Sequence, residues 1–295
     1  MKLCLACRRP YDVPDWTCPA CGSAPEERNG FLAFAPELDG QSDGFNPEFF
    51  RLIVEVEPDH FWFQARNAIL MDVVRRHFPN PGKVLEVGCG TGFVLSGMRA
   101  VFPQASFSGS DIFTEGLAFT AQRAPGIFLF QMDARRIPFV GEFDLIGAFD
   151  VLEHVEEDEA VLAQMHQACK PGGGIVLTVP QHRWLWSRVD DFAHHKRRYT
   201  RTELAGKVIR AGFRVEYATS FVSLLLPLLL ASRGMKKSGA NMDEQMKAVG
   251  LKVGRLTNAV LRAIMRVEQW LIRLGLSFPL GGSLLLVARK TESAI

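Results

Sequence analysis

The chain has 295 residues, 47% of them hydrophobic and 22% charged, with a formal net charge of +2. That length accommodates one large domain and a small one, and the composition is that of a folded globular protein rather than a disordered segment. A net charge this close to zero offers no general electrostatic case for binding nucleic acid.

The first ten residues, MKLCLACRRP, lack the apolar core of about 7–15 residues that a signal peptide requires. A cytoplasmic location is therefore expected, where thiols stay reduced and paired cysteines suggest metal rather than disulfides. Cys4, Cys7, Cys18 and Cys21 form two Cys-x-x-Cys pairs. Each pair sets two thiolates on one tight turn, and two such turns complete a tetrahedron around zinc. Too short to build a core, this segment would draw its folding energy from the metal. Residues 1–30 set Lys2, Arg8, Arg9 and Arg28 against Asp12, Asp15, Glu26 and Glu27, so they are neutral. We expect a zinc ribbon over 1–30, serving as a docking piece or lid support, and a linker over 31–59. Cys89 and Cys169 sit alone and read as packing residues.

From Pro81 the chain alternates strands and helices. KVLEVGCGTGFVLSGM reads as an apolar strand, a glycine-rich turn and a helix. Gly88, Gly90 and Gly92 let the backbone pass close to a bound cofactor, and the helix N-terminus helps recognise polar groups. A second strand ends in Asp111, where a carboxylate can hold a ribose diol, and a third in Asp133, placed to accept from an adenine amino group. FDLIGAFDVLEHV supplies a fourth strand and KPGGGIVLTVP a helix stop and a fifth. Each carboxylate could instead be a solvated strand end.

LEVGCGTG, DVLEHV and KPGGG in this order resemble the class I S-adenosylmethionine-dependent methyltransferases over roughly Lys83 to Ser220. The loop reads G-C-G-T-G, unlike the G-x-G-x-x-G of dinucleotide-binding proteins. The resemblance implies a Rossmann-like α/β fold, with a seven-stranded, mostly parallel sheet and helices on both faces. To this the chain adds the ribbon and a helical insertion before the last strand. The domain would run over 60–295, with the insertion at 221–281. By the same resemblance, Glu86 and the loop Gly88, Cys89, Gly90 and Gly92 would line the methionine end of the cofactor. Asp111 with Ile112 would hold the ribose, Asp133 and Ala134 would border the adenine, and Asp150 would close the site at the fourth strand. PDHFWFQARNAIL, ahead of an amphipathic helix, resembles the N-terminal lid of part of the superfamily. There Arg66 would grip the cofactor carboxylate with two hydrogen bonds; the alternative is a hydrophobic staple with a solvated arginine.

Methyl transfer from a sulfonium is an in-line displacement, so much of the catalysis is alignment, with a base needed when the nucleophile carries a proton. His154 should face the methyl group and has the titration range of a base for a hydroxyl. It could equally position or cap. His182 and Tyr199 are rivals from the loop after the fifth strand. The tetrapeptides of base-amino methyltransferases are missing, and the Cys18-Pro19 pair lies in the ribbon, which leaves O-methylation of a small or lipid-linked metabolite in front, with N-methylation behind it. LEHV resembles the ubiquinone-biosynthesis O-methyltransferases. Zinc-ribbon ribosomal-RNA methyltransferases share the order of parts and the segment NGFLAFAPE, and a non-catalytic scaffold or membrane adaptor is a third reading.

Acceptor information is expected in two stretches. RVDDFAHHKRRYTR gathers His194, His195, Lys196, Arg197, Arg198 and Arg201, either to bind an acidic group of the acceptor or as a solvated lead-in to a helix capped by Thr200 or Thr202. About sixty residues then separate the last two strands. Ser232 to Gly275 carry nine Lys/Arg against three Asp/Glu, and Leu256, Val260, Ile264, Val267, Leu271 and Leu274 recur at helical spacing. With Arg255, Arg262, Arg266 and Arg273 on another face, and Trp270 beside the apolar run Phe221 to Ala231, 221–275 resembles an interfacial element at the inner face of a membrane. The alternative is a helix pair packing on the domain or across a homodimer.

Overall fold

The computed structural model describes residues 1–40, 48–233 and 251–291. The cysteine segment opens with a hairpin of β1 (Lys2–Leu3) and β2 (Pro10–Tyr11), followed by a second hairpin of β3 (Glu26–Arg28) and β4 (Phe31–Ala33). Helices α1 (Glu48–Val56) and α2 (Phe61–His77) lead into β5 (Lys83–Val87), α3 (Phe93–Val101), β6 (Ser106–Asp111), α4 (Thr114–Arg123) and β7 (Phe128–Gln131). Then come β8 (Phe143–Phe149), α5 (Asp158–Ala168), β9 (Cys169–Pro180), the short α6 (Arg188–Phe192), α7 (Arg201–Arg210) and β10 (Phe213–Phe221). The insertion holds α8 (Leu226–Arg233) and α9 (Arg255–Arg273), and β11 (Ser283–Lys290) closes the fold.

One sheet runs in the order β10-β11-β9-β8-β5-β6-β7-β4-β3. β5 to β9 pair in parallel, and β11 lies antiparallel between β9 and β10. The seven expected strands are all there, but the sheet has nine, because β3 and β4 extend it beyond β7. β4 runs parallel to β7, with Leu32 opposite Phe130 and Ala33 opposite Gln131. Where that pairing ends, the Gln131 side chain takes over: it accepts from Ala35 N at 3.0 Å and donates to Ala35 O at 2.7 Å. A boundary at residue 30 therefore cuts across a hairpin whose second strand belongs to the main sheet.

Parallel strands are covered on both faces, so their side chains divide between two cores. In β5, Val84 packs with Ile69, Leu70 and Leu95 on the α2–α3 side, while Leu85 packs with Val161, Leu162 and Leu204 on the α5–α7 side. The chain winds outward from β5 through β6 to β7, then crosses to β8 on the opposite side. That reversal opens a crevice at the carboxyl ends of β5 and β8, where ligands of such sheets bind.

PDHFWFQARNAIL begins α2 rather than preceding it, with His60 capping Trp62 N at 3.2 Å. Thr200, not Thr202, caps α7, in a capping box with Glu203. The insertion differs more. α9 packs on α2 through Leu261, Met265 and Ile272, spaced as one helical stripe. Most of the expected stripe faces outward: Leu256 is 80% exposed, Val260, Val267 and Leu274 are exposed too, and so is Trp270 outside the stripe. Two apolar stripes run along this helix, and periodicity alone does not say which one meets the core. Lys236, Lys237 and Lys247, part of the basic count, lie outside the described residues. No described helix is long and apolar enough to cross a membrane.

Candidate active site

The turn after β5 is built on left-handed glycines, with φ of 69° at Gly88, 52° at Gly90 and 73° at Gly92. A Cβ at Gly88 would stand 2.5 Å from Val151 Cγ2, so only glycine keeps the β5 and β8 ends this close. Asp111, at the end of β6, ties the loop down: Oδ2 accepts from Gly90 N at 2.8 Å and Oδ1 from Phe113 N at 3.0 Å. Burial pushes its carboxyl up to about 6 against the pull of these donors. α1 covers the loop from above. At its end Glu57 accepts from Thr91 Oγ1 at 2.6 Å and Arg123 Nη1 at 2.7 Å, a clamp with no sequence signature.

Two cavities meet over this loop. One, of about 620 Å³, is lined by Asp111, Ile112, Asp133, Ala134 and Leu38. The other, of about 570 Å³, is lined by Arg66, Glu86, Cys89 and Trp62, and further out by Leu225, Leu228 and Leu229 of the insertion. They share Phe50, Gly88, Gly90, Asp150 and His154. Every expected cofactor residue except Gly92 thus lines one cavity or both. Gly92 instead starts α3, packed where a Cβ would meet Thr120 at 2.8 Å.

The second cavity carries unsatisfied polar groups. Glu86 is buried, burial drives its carboxyl well above the usual range, and Oε2 has no hydrogen-bond partner among the described residues. Arg66 pairs with Asp150 and lies over the Trp62 ring at 4.7 Å, yet its Nε is likewise buried and unpartnered. Buried polar atoms are nearly always satisfied, so orphans beside a cavity mark where a ligand's polar groups complete the structure. An acceptor and a donor lining the same cavity suit a ligand bearing both an ammonium and a carboxylate. Asp133 at the other end is held internally, accepting from Arg135 N at 2.9 Å and Nε at 3.0 Å.

His154 sits at the junction on a short 3-10 turn, Leu152–His154. Burial first, then His195, His194 and Lys196 around it, lower its pKa to about 3, so the imidazole is neutral at pH 7. The rivals stand elsewhere. Tyr199 is fully buried, donates to Asp158 Oδ2 at 2.7 Å and Leu152 O at 3.1 Å, and lines neither cavity. His182 stacks on Trp184, with centroids 5.0 Å apart, and also lines neither. Most of the basic run is spent inside the protein. Arg198 donates to Asp190 Oδ1 at 2.6 Å, Arg197 reaches Glu156 at 3.0 Å, and Arg201 donates to Phe278 O at 2.7 Å. Two further residues line the second cavity next to His154: Glu153, which carried no sequence signal, and His195, which the sequence marked only as one of the basic run.

The four ribbon thiols converge. Cys4 Sγ lies 3.6 Å from Cys21 Sγ and Cys7 Sγ 3.7 Å from Cys18 Sγ, with all four within 4.8 Å of one another. Tetrahedral zinc with bonds of about 2.3 Å to sulfur sets neighbouring sulfurs about 3.8 Å apart, so the cluster fits that ion. The ribbon docks on the β7 edge. Trp16 packs against Phe34, Phe128 and Phe139, with centroids at 4.9, 5.9 and 5.7 Å.

Comparison with known proteins agrees with this architecture. Residues 61–218, just over half of the chain, match the family model described as a methyltransferase domain. Trans-aconitate 2-methyltransferase of Deinococcus radiodurans is 29% identical over 150 residues, covering 48% of this chain and 57% of that protein. Phosphatidylethanolamine N-methyltransferase of Cereibacter sphaeroides is 35% identical over 103 residues, 32% of this chain and 49% of that one. The match spans about half the length of such curated relatives. Among solved structures, phosphoethanolamine N-methyltransferase 2 of Haemonchus contortus in complex with S-adenosyl-L-methionine superposes with a TM-score of 0.56 at 18% identity, over 85% of this chain and 58% of that one. The [4+2]-cyclase SpnF superposes at 0.51 and 18% identity, over 77% and 82%, which shows that the fold alone does not fix the chemistry. The family match does more than the fold, because it covers the loop, the switch point and most of both cavities: the chain belongs to the class I S-adenosylmethionine-dependent methyltransferases.

Proposed function

We propose that the protein transfers a methyl group from S-adenosylmethionine to an oxygen of a small or lipid-linked apolar acceptor, with its ribbon held by zinc. The observation that carries this reading is the joined pair of cavities. The first fits an adenosine, with Asp111 for the ribose diol and Asp133 and Ala134 beside the base. At the start of the second, the orphaned Glu86 Oε2 and Arg66 Nε fit the ammonium and carboxylate of a methionine moiety. The sulfonium would then lie near Gly88, Asp150 and His154, which both cavities share.

Beyond that point the second cavity turns apolar. Leu225, Leu228, Leu229 and Leu261 come from the insertion that replaces a short hairpin, and Trp62 and Phe63 close the other side. Such a lining favours an acceptor with a long hydrocarbon part, removed from water while the methyl is transferred. With His194 and Lys196 turned toward the first cavity and the arginines paired internally, the basic run contributes less to acceptor binding than its charge suggests. The zinc site stands apart from the reaction: four thiolates fill a tetrahedral ion's positions and leave none for substrate.

His154 presents its imidazole to the acceptor side of the junction. Held near 3, it is always unprotonated at neutral pH but a weak base for a hydroxyl, whose proton affinity something else must lower. The test is calorimetric titration with S-adenosylhomocysteine, then incubation of labelled S-adenosylmethionine with phenolic, carboxylate and amine acceptors of increasing chain length. Label in short polar amines, or none in apolar oxygen acceptors, would reject the acceptor assignment.

A further inference from the structure

Beside His154 stand two residues, Glu153 and His195, to which methyl transfer assigns no role. Glu153, His154 and His195 each offer a ligand atom, and the three lie within 4.8 Å of one another. Glu153 is fully buried, yet neither carboxylate oxygen has a hydrogen-bond partner among the described residues. Its nearest polar neighbour in the cluster is His195 Nε2, 4.0 Å from Oε1. The two adjacent guanidinium groups are engaged elsewhere, Arg66 with Asp150 and Arg198 with Asp190. A buried carboxylate left in this state is costly unless something cationic completes it.

The histidines are arranged for that completion. His195 shares its Nδ1 proton with Asp190 Oδ1 at 2.9 Å, which fixes the tautomer and leaves the Nε2 lone pair turned toward Glu153. A carboxylate behind an imidazole in this way is the usual support of a metal-ligating histidine. Asp190 is itself fully buried and pinned by Arg198 Nε at 2.6 Å and the α6 capping box, so the support is rigid. The His154 ring stands edge-on to His195, with centroids 4.8 Å apart and planes at 79°. The sequence places the parts far apart: Glu153 and His154 on the turn after β8, His195 forty residues on, after α6.

We propose that Glu153, His154 and His195 form a divalent transition-metal site at the junction of the two cavities, distinct from the ribbon. Two imidazoles and one carboxylate suit Zn²⁺, Mn²⁺ or Fe²⁺ better than Ca²⁺ or Mg²⁺, which prefer oxygen alone. Bonds of about 2.0–2.2 Å would draw the three atoms closer than their present spread, a change within reach of side-chain rotation. Three protein ligands leave coordination positions open, and His154 lines both cavities, so those positions face bound molecules. The consequence for chemistry rests on the methyl-transfer reading. A hydroxyl on the metal loses its proton to solvent more readily, and its oxygen bonds the methyl as the carbon–sulfur bond breaks and the sulfonium becomes a thioether. His154 then serves as a ligand, and the weak basicity of its imidazole ceases to matter.

The test needs neither cofactor nor acceptor. The full chain, its ribbon loaded with zinc, is titrated with Mn²⁺, which thiolates bind poorly, and free Mn²⁺ is followed by electron paramagnetic resonance. One equivalent should bind to the wild type. Glu153→Gln should weaken binding about tenfold or more, and Asp190→Asn, acting through His195, by about 10–100-fold. Added Mn²⁺ should raise the melting temperature of the wild type but not of Glu153→Gln. That variant should melt close to the metal-free wild type, since it replaces a buried carboxyl that has no hydrogen-bond partner with a neutral group of the same shape. Absence of Mn²⁺ binding, together with zinc content no higher than the ribbon's one ion, overturns the site. So does Mn²⁺ binding that Glu153→Gln leaves unchanged, or stabilisation of the wild type by ethanolamine and not by metal. Failure of the methyl-transfer reading would appear separately, as absent binding of S-adenosylhomocysteine.

Discussion

At the nucleotide end of the site the protein satisfies its own charges, and at the transfer end it does not. Asp111 accepts from two backbone amides and Asp133 from the amide and guanidinium of Arg135. Glu86 and Glu153, both lining the second cavity, are buried with oxygens that nothing among the described residues meets. The first arrangement pre-forms a rigid platform; the second stores an electrostatic deficit that a bound group relieves. Preformed hydrogen bonds therefore mark where the ligand is positioned, and missing ones mark where its charged groups go.

The largest expected effect lies at the deficient end. His154→Ala removes either the proton acceptor or a metal ligand from the junction, and single-turnover methyl transfer should slow by about 10²–10⁴. Affinity for S-adenosylhomocysteine should hardly change. A variant that turns over normally would move the acceptor-side chemistry away from this turn.

At the satisfied end the effect is on binding. Asp111→Ala removes the carboxylate proposed to hold the ribose diol and frees the amides of Gly90 and Phe113. Two charge-assisted hydrogen bonds correspond to a loss of about 10²-fold or more in calorimetric affinity. Unchanged affinity would break the contrast between the two ends, because Asp111 is the residue that defines the first.

Titration sharpens it. Burial holds the Asp111 carboxyl near 6 without ligand, well above its usual value. In the free protein this raised pKa favours folding at low pH, and that contribution is lost as pH rises through about 6. Cofactor binding should have the opposite sign, since the proposed ribose contact donates to the ionised form. Affinity for S-adenosylhomocysteine should fall about tenfold between pH 7 and pH 5, with uptake of one proton on release. Asp111→Asn should bind weakly at both values and lose the slope.

The same contrast explains how far the sequence could be read. The platform is a local object: Gly88 to Gly92 and Asp111 lie at the ends of consecutive strands, and their spacing carries their geometry. The three-ligand cluster joins a turn after β8 to a residue beyond α6, and nothing in HHKRRYTR separates His195 from the arginines around it. Tyr199 shows the converse error. A tyrosine in a basic run reads as an exposed rival base, yet its hydroxyl is sealed against Asp158. Which stripe of α9 meets α2 was equally hidden, because Leu261, Met265 and Ile272 offer a helical spacing as regular as Leu256, Val260 and Val267.

The ribbon supplies the smallest effect. Its sulfur cluster is far in sequence from both cavities, and what it shares with the cofactor platform passes through the segment after β4. There Leu38 lines the first cavity, and Asp39 accepts from Thr114 N at 3.0 Å and Thr114 Oγ1 at 2.8 Å, capping α4 beside Asp111. That segment is also held by the Gln131 clamp on Ala35, which needs no metal. Cys21→Ser should thus release zinc and let Trp16 leave Phe34, Phe128 and Phe139, seen as a red shift and loss of its fluorescence. Affinity for S-adenosylhomocysteine should fall by no more than about threefold, the size of one weakened neutral contact. A much larger loss would mean that the strands added at the β7 edge hold the adenine side of the platform in place, and that the zinc-held segment is part of the site itself.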